Sequence, residues 1–310
     1  MKKILPLLIS CCSFVLNAQE WTLKSANFTF EDDLFYQTDR FYTYGSRLLF
    51  LYEREKDSYI SFAFTNKMYT PEDLDAKYII EDDVPYAGYL NLEAALYERD
   101  DTTLSTYIFQ LGFVGPATHI DRLQVYMHKL TDSDLPQGWD NQLNNELTFQ
   151  FNYDKKYAFE IQKKFFGFSS MLLPQYGFQL GNVSTKAYAG AMYRLGSQEV
   201  MQNFGASSIG TSSYGQIPLT SKQRYKKELH LCADLGFQAN AIARNIFLDG
   251  NTNTTSHSVE KKNYTLNVLY GVSLTYDHFS IDWIHTFTTK QYETEPKPHI
   301  YTSFQVLYHY

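Results

Sequence analysis

The last twelve residues constrain this chain most. Taken in steps of two from the end, Tyr310, Tyr308, Val306, Phe304, Thr302 and Ile300 form one largely apolar and aromatic face. Alternate side chains of a strand point to opposite faces. The segment is therefore expected to be an amphipathic strand running to the last residue. Lipid tolerates no open sheet edge, so a strand greasy on one side fits the closing strand of a transmembrane β-barrel.

The start of the chain agrees. Met1-Lys2-Lys3 is a short basic region, residues 4–16 form an apolar core, and Leu16-Asn17-Ala18 ends on a small residue. This pattern is that of a secretory signal peptide over 1–18, with the mature barrel spanning 19–310. Acylation at Cys11 or Cys12 is the alternative, but the apolar stretch before them is shorter than usual. Of three cysteines only Cys232 lies beyond the signal, so no disulfide framework forms within one chain. No later apolar run is long enough for a transmembrane helix.

The composition holds 26 Tyr and 23 Phe, 17% aromatics, yet its balance is acidic at −7. Barrels place aromatics in interfacial girdles and hide their membrane signal in alternation, which accounts for many aromatics without long apolar runs. The acidic balance argues against nucleic acid as a partner.

Amphipathic runs recur at 22–32, 42–54, 57–67, 86–99, 102–113, 145–163, 170–182, 184–195, 227–242, 263–276, 278–289 and 299–310. They predict an all-β, up-and-down antiparallel barrel of twelve strands. The run 145–163 could divide at Asp154-Lys155-Lys156, but a bacterial barrel normally has an even count. With both chain ends in the periplasm, loops 33–41, 68–85, 114–144, 243–262 and 290–298 face outward. The segment 196–226, rich in Ser, Gly and Gln, is then periplasmic and reads as a flexible connection without chemistry.

Chemistry concentrates in three places on the outer side. Glu31-Asp32-Asp33 puts three carboxylates in a row, whose repulsion a cation would relieve; a solvated acidic loop has the same composition. Tyr42-Thr43-Tyr44-Gly45 adds a hydroxyl beside them, or is simply a girdle position. The third is a helical pattern over about 119–130, within loop 114–144. Leu123, Met127 and Leu130 form a stripe to pack on the barrel wall, and Gln124 and His128 share an adjacent face at i and i+4. Asp134 follows. An imidazole with an amide and a carboxylate nearby supplies the parts of a general base with an orienting partner, although a lone surface His is common. Carboxylates plus hydroxyl form an oxygen-only set that favours Ca²⁺ over a softer metal.

The pieces Glu31-Asp32-Asp33-Leu34-Phe35, Thr38-Asp39-Arg40-Phe41-Tyr42-Thr43-Tyr44-Gly45, Met68-Tyr69-Thr70-Pro71, Asp83-Val84-Pro85-Tyr86-Ala87-Gly88, Gly112-Phe113-Val114-Gly115-Pro116, Gln124-Val125-Tyr126-Met127-His128 and Gly138-Trp139-Asp140-Asn141-Gln142-Leu143 occur in this order. Together they resemble the outer-membrane lipid A 3′-O-deacylases over about residues 28–146. The resemblance implies a twelve-stranded barrel, a Ca²⁺ cofactor, lipid A of lipopolysaccharide as substrate, and hydrolysis of the ester of its 3′-linked acyl chain. It implies His128 as the base, with Gln124, Asp32 and Thr43 in the catalytic set and Asp33, Asp134 and Thr43 as metal ligands. Asp32 stands where the family carries Asn, and Asp134 where it carries Glu. The family's loop facing sugar phosphates is basic; in 72–83 only Lys77 is positive, and it is the expected substrate contact. The expected setting is the outer membrane of a Gram-negative cell, as a monomer with the active site outward. A different lipid esterase, such as a barrel phospholipase, would need a serine nucleophile, and 124–142 offers only Ser133. A non-enzymatic pore or structural barrel would spread its lumen charges and lack this clustering.

Overall fold

The computed structural model describes residues 21–33, 40–165, 168–197, 203–205, 207–211, 217 and 227–310. The expected signal peptide and the piece 34–39 lie outside the described residues.

Thirteen strand segments appear: β1 Thr22–Asp32, β2 Phe41–Glu55, β3 Ser58–Thr70, β4 Ala87–Asp100, β5 Thr103–Val114, β6 Glu146–Tyr157, β7 Phe159–Phe165, β8 Phe168–Gly181, β9 Ser184–Ser197, β10 Leu229–Asn245, β11 Tyr264–Tyr276, β12 Phe279–Thr288 and β13 His299–His309. Chain neighbours pair antiparallel, except β6 with β7, and β1 pairs with β13. Both β6 and β7 pair with β8, so they are two halves of one stave interrupted at Ala158. The run 145–163 is thus a single stave, and Asp154-Lys155-Lys156 passes through it without turning. The result is a closed barrel of twelve staves. Among the described residues no helix is long and apolar enough to cross a membrane.

The cross-strand register shows why alternation suffices to build this wall. Phe28, Leu48, Phe64, Leu92, Leu111 and Phe149 are opposite one another in successive strands and all face outward. One residue along, Thr29, Arg47, Thr65 and Asn91 are opposite one another and buried inside. A one-residue slip would turn every polar side chain of a strand into lipid, so the register is strongly fixed. Inside, buried Arg194 grips Asp234 with Nε–Oδ1 and Nη2–Oδ2 contacts of 2.7 Å each.

The segment 196–226 is where the structure departs most from expectation. Its described residues are built into the lumen. Phe204 and Ile217 join the apolar cluster of Leu104, Leu173 and Cys232. Farther in, the backbone N–H groups of Ile209 and Gly210 donate to the two Glu31 carboxylate oxygens at 2.7 and 2.9 Å. The same carboxylate accepts from Tyr42 Oη at 2.7 Å and Ser303 Oγ at 2.6 Å. The connection is therefore a plug. Its ordering comes from partners far away in sequence, which the local composition does not carry.

Candidate active site

The outward face at the top of β1 to β4 carries a shelf. Val114 ends β5, and Gly115, at φ 101°, turns the chain back so that its N–H reaches Gly88 O at 2.9 Å. That φ favours glycine. Helix α1, Ile120–Thr131, then starts directly on β4. A Cβ on Gly88 would lie 2.3 Å from Thr118 Oγ1 and 2.7 Å from Ile120 Cβ, so Gly88 is what lets the helix seat this closely. Ile120, Leu123 and Met127 pack with Phe30, Tyr44, Met68, Tyr86 and Trp139. Leu130, expected in the same stripe, is instead 68% exposed. It lies in the last helical turn, which overhangs the wall beyond Met127.

Gln124 is 2% exposed. Its Oε1 accepts from Trp139 Nε1 at 2.7 Å, and Tyr86 braces that indole at a ring separation of 4.9 Å. With Oε1 committed, Nε2 is buried and has no hydrogen-bond partner among the described residues. An unsatisfied buried donor costs about 1–3 kcal/mol, so this one is suited to a ligand oxygen. Half-buried His128 lies one turn on. Asp132, left-handed at φ 55°, ends α1 and swings the chain back, bringing Asp134 O to 2.5 Å from His128 Nδ1. A carbonyl only accepts, so Nδ1 carries the proton and Nε2 is the basic nitrogen. The orienting group is thus the main chain of Asp134; its carboxylate is exposed.

Asp32 ends β1, two residues after Phe30 on the same outward face, opposite Tyr44. Thr43 is the extra residue of a bulge in β2, between Tyr42 and Tyr44. Its Oγ1 meets Thr70 Oγ1 at 2.6 Å, and its carbonyl accepts from Asp33 N–H at 3.3 Å. Asp33 is buried, and its Oδ2 holds Arg40 N–H at 2.9 Å. Arg40 in turn donates to Lys297 O at 2.7 Å and sits 3.8 Å from Glu295. Lys77 is exposed on loop 71–86, and its carbonyl accepts from Asn141 beside Trp139.

Asp32 and Thr43 thus lie on β1 and β2 beside Phe30 and Tyr44, the wall residues that α1 packs against. Gln124 and His128 lie on α1 itself, Asp33 follows Asp32, and Lys77 is on loop 71–86. Among the described residues no three His, Cys, Asp or Glu side chains gather as a ready metal cage. The oxygens of Asp32, Asp33 and Thr43, adjacent at one strand end, still suit by chemistry a hard cation that completes its shell with carbonyls and water. Three supports escaped the sequence reading: Trp139 behind Gln124, Thr70 behind Thr43, and the Asp134 carbonyl behind His128. Only Trp139 left a signal, as the one large aromatic in a loop of polar residues.

A closed twelve-stave barrel, apolar outside and polar within, with a short helix docked at one rim, defines an outer-membrane type of β-barrel. The chain matches the family described as outer membrane protein LpxR over residues 6–310, and belongs to that family of outer-membrane proteins. A solved structure of LpxR from Salmonella typhimurium is similar, with a TM-score of 0.80 at 16% identity, covering 92% of this chain and 100% of that one. The β domain of the Bordetella autotransporter BrkA is a more distant likeness, with a TM-score of 0.47 at 10% identity over 93% of this chain and 99% of that one. The search of curated proteins finds no match.

Proposed function

We propose that this protein is a lipid A 3′-O-deacylase, hydrolysing the ester of the 3′-linked acyl chain with His128 as general base. The observation that carries the reading is the His128–Asp134 carbonyl contact, which leaves Nε2 basic at a helix–wall seam on the barrel rim. An ester in the outer leaflet lies at that level. His128 Nε2 takes a proton from water as the water oxygen attacks the ester carbonyl. Gln124 Nε2–H donates to the oxygen on which charge develops, and Trp139 keeps that amide from rotating. The imidazolium then gives its proton to the departing sugar oxygen, yielding a free fatty acid and the 3′-hydroxyl. General-base help of this kind is worth about 10²–10⁴-fold.

Asp32, Asp33 and Thr43 would hold Ca²⁺, with Asp134 as the further ligand. The bound ion would add Lewis-acid polarisation of the carbonyl. Lys77 would face a sugar phosphate from the adjoining loop. All these groups come from one chain, so a monomer suffices, with its site facing the exterior. A serine route has less support, because Ser133 Oγ is engaged with Thr131 Oγ1 at 2.9 Å in an exposed turn.

The test is mass spectrometry of lipid A from cells expressing the chain or His128→Ala, with Ca²⁺ present or chelated. Loss of the 3′ acyl mass only with His128 and Ca²⁺ is expected. Unchanged lipid A from a folded wild-type barrel would overturn the substrate; activity retained by His128→Ala would overturn the base.

A further inference from the structure

On the other side of the wall from this seam, the lumen holds a chamber that the chemistry above does not use. Its cavity volume is about 110 Å³, and it opens to solvent at one end. Its floor is the plug tip at Gly210 and Thr211. Val183 and Ser184 of the β8–β9 turn and Gln291 of the β12–β13 loop line it too, so its mouth is on the outer side.

The charge in this chamber is unusual for the chain. Overall the protein is acidic, at −7, and elsewhere in the lumen Arg194 has Asp234 and Glu31 has four donors. Yet the chamber is lined by Lys67, Lys186 and His299, and by no carboxylate among the described residues. His299 is occupied with Tyr42 O at 3.2 Å. Lys67 Nζ donates to Ile209 O at 3.2 Å and lies 5.9 Å from the Tyr42 ring centre. Lys186 lies 5.7 Å from the Tyr188 ring centre, with no hydrogen-bond acceptor or acidic partner among the described residues. Lys67 already feels the carboxylates of Glu31 and Glu93, whereas no carboxylate among the described residues acts on Lys186, so an anion entering through the mouth would be drawn to Lys186. The rest of the lining fits the body of such a ligand. Gln179 and Asn267 offer both donors and acceptors, Gln110 and Asn240 being engaged with Glu93 and with Gln238 and Thr265, while Tyr89 offers a ring.

We propose that this chamber binds a phosphorylated sugar, its phosphate between Lys67 and Lys186 and its hydroxyls on the amides. A charge on two lysines, amides for hydroxyls and an aromatic ring for sugar C–H groups are the parts that such a ligand requires. The site does not depend on the deacylase reading, since no residue is shared between the two.

Titration calorimetry on the full chain in detergent tests it, with inorganic phosphate, glucose 6-phosphate, unphosphorylated glucose and the delipidated glucosamine disaccharide bisphosphate as probes. Glucose 6-phosphate is expected to bind at least ten-fold more tightly than phosphate, and glucose not measurably. Lys186→Gln should weaken it ten-fold or more and Lys186→Arg far less; Lys56→Ala, in the exposed turn between β2 and β3 at the opposite end of the barrel, should leave it unchanged. Tighter binding of the disaccharide that Lys186→Gln weakens supports the site and points to a lipid headgroup as the source, whereas tight binding that Lys186→Gln leaves unchanged belongs to the rim and counts against the chamber. Because Lys67 also holds the plug, Lys186 carries the decision. No binding of any phosphorylated probe by a heat-modifiable, folded wild-type barrel would overturn the proposal, as would equal binding by Lys186→Gln.

Discussion

At the scale of single residues, the seam works because each polar side chain has one of its ends fixed. Gln124 shows this best: Trp139 Nε1–H holds Oε1, so the amide presents Nε2 alone. Trp139→Phe would keep most of the packing against Tyr86 and remove only the indole N–H. A neutral hydrogen bond is worth about 0.5–1.5 kcal/mol, so the lipid-hydrolysis rate should fall about 3- to 10-fold, with far-UV circular dichroism unchanged. A fall as large as that of His128→Ala would mean that Trp139 does more than orient Gln124. The same logic explains what sequence could and could not reveal. Gln124 and His128 are visible as an i, i+4 pair because helical spacing is local. The partner that sets the His128 tautomer is a main-chain carbonyl, which has no residue identity, and so it left no trace.

At the scale of elements, α1 depends on one small residue in the strand below it. Gly88→Val puts a branched side chain where even a Cβ would collide with Thr118 and Ile120. The barrel, held by antiparallel pairing of β3, β4 and β5, should persist, while α1 lifts off. Faster trypsin cleavage after Arg122 or Lys129, together with an unchanged heat-modified gel shift, is the expected outcome; an unchanged cleavage rate would show that α1 adapts. A second element carries a pH dependence. Burial pushes the Glu295 carboxyl up to about 7 in the β12–β13 loop, although Gln291 N–H and Arg40 favour its charged form. A carboxyl raised in the folded state stabilises below its unfolded value of 4.5, and that stability is lost as pH rises through 7. The loop should therefore exchange its amide hydrogens faster at pH 8 than at pH 5, beyond the intrinsic change, and Glu295→Gln should flatten the difference. The helix expected at 119–130 is found at Ile120–Thr131, yet Leu130 overhangs instead of packing. Periodicity defines the stripe of a helix, and only the extent of the wall beneath it decides how much of the stripe is covered.

At the scale of the whole molecule, the barrel was legible because its rule is local: every second residue faces lipid, and the register follows from that. The plug was not legible, since its anchors to Glu31 of β1, Lys67 of β3 and Tyr301 of β13 come from across the chain. Glu31 is where the two meet. Three adjacent acidic residues suggest one anionic patch, but alternation sends Glu31 into the lumen and Asp32 to the helix side, so they serve different structures. With four donors on its carboxylate, Glu31 is the strongest tie between wall and plug tip. Glu31→Ala removes all four at once and leaves the backbone pairing of β1 with β2 and β13 intact. The two plug N–H groups then lose a charged acceptor, and hydrogen bonds to charged groups are each worth about 1.5–3 kcal/mol. Loss of even one such bond would raise the population with the tip displaced by about ten-fold or more. A lumen of this barrel size conducts ions once its filling moves aside. Reconstituted in planar bilayers, wild type should be silent, whereas Glu31→Ala should show intermittent conductance, with both proteins equally heat-modifiable. Conductance from wild type would mean that the plug does not seal the lumen, and a silent Glu31→Ala would mean that the apolar packing of Phe204 and Ile217 holds the plug without its tip.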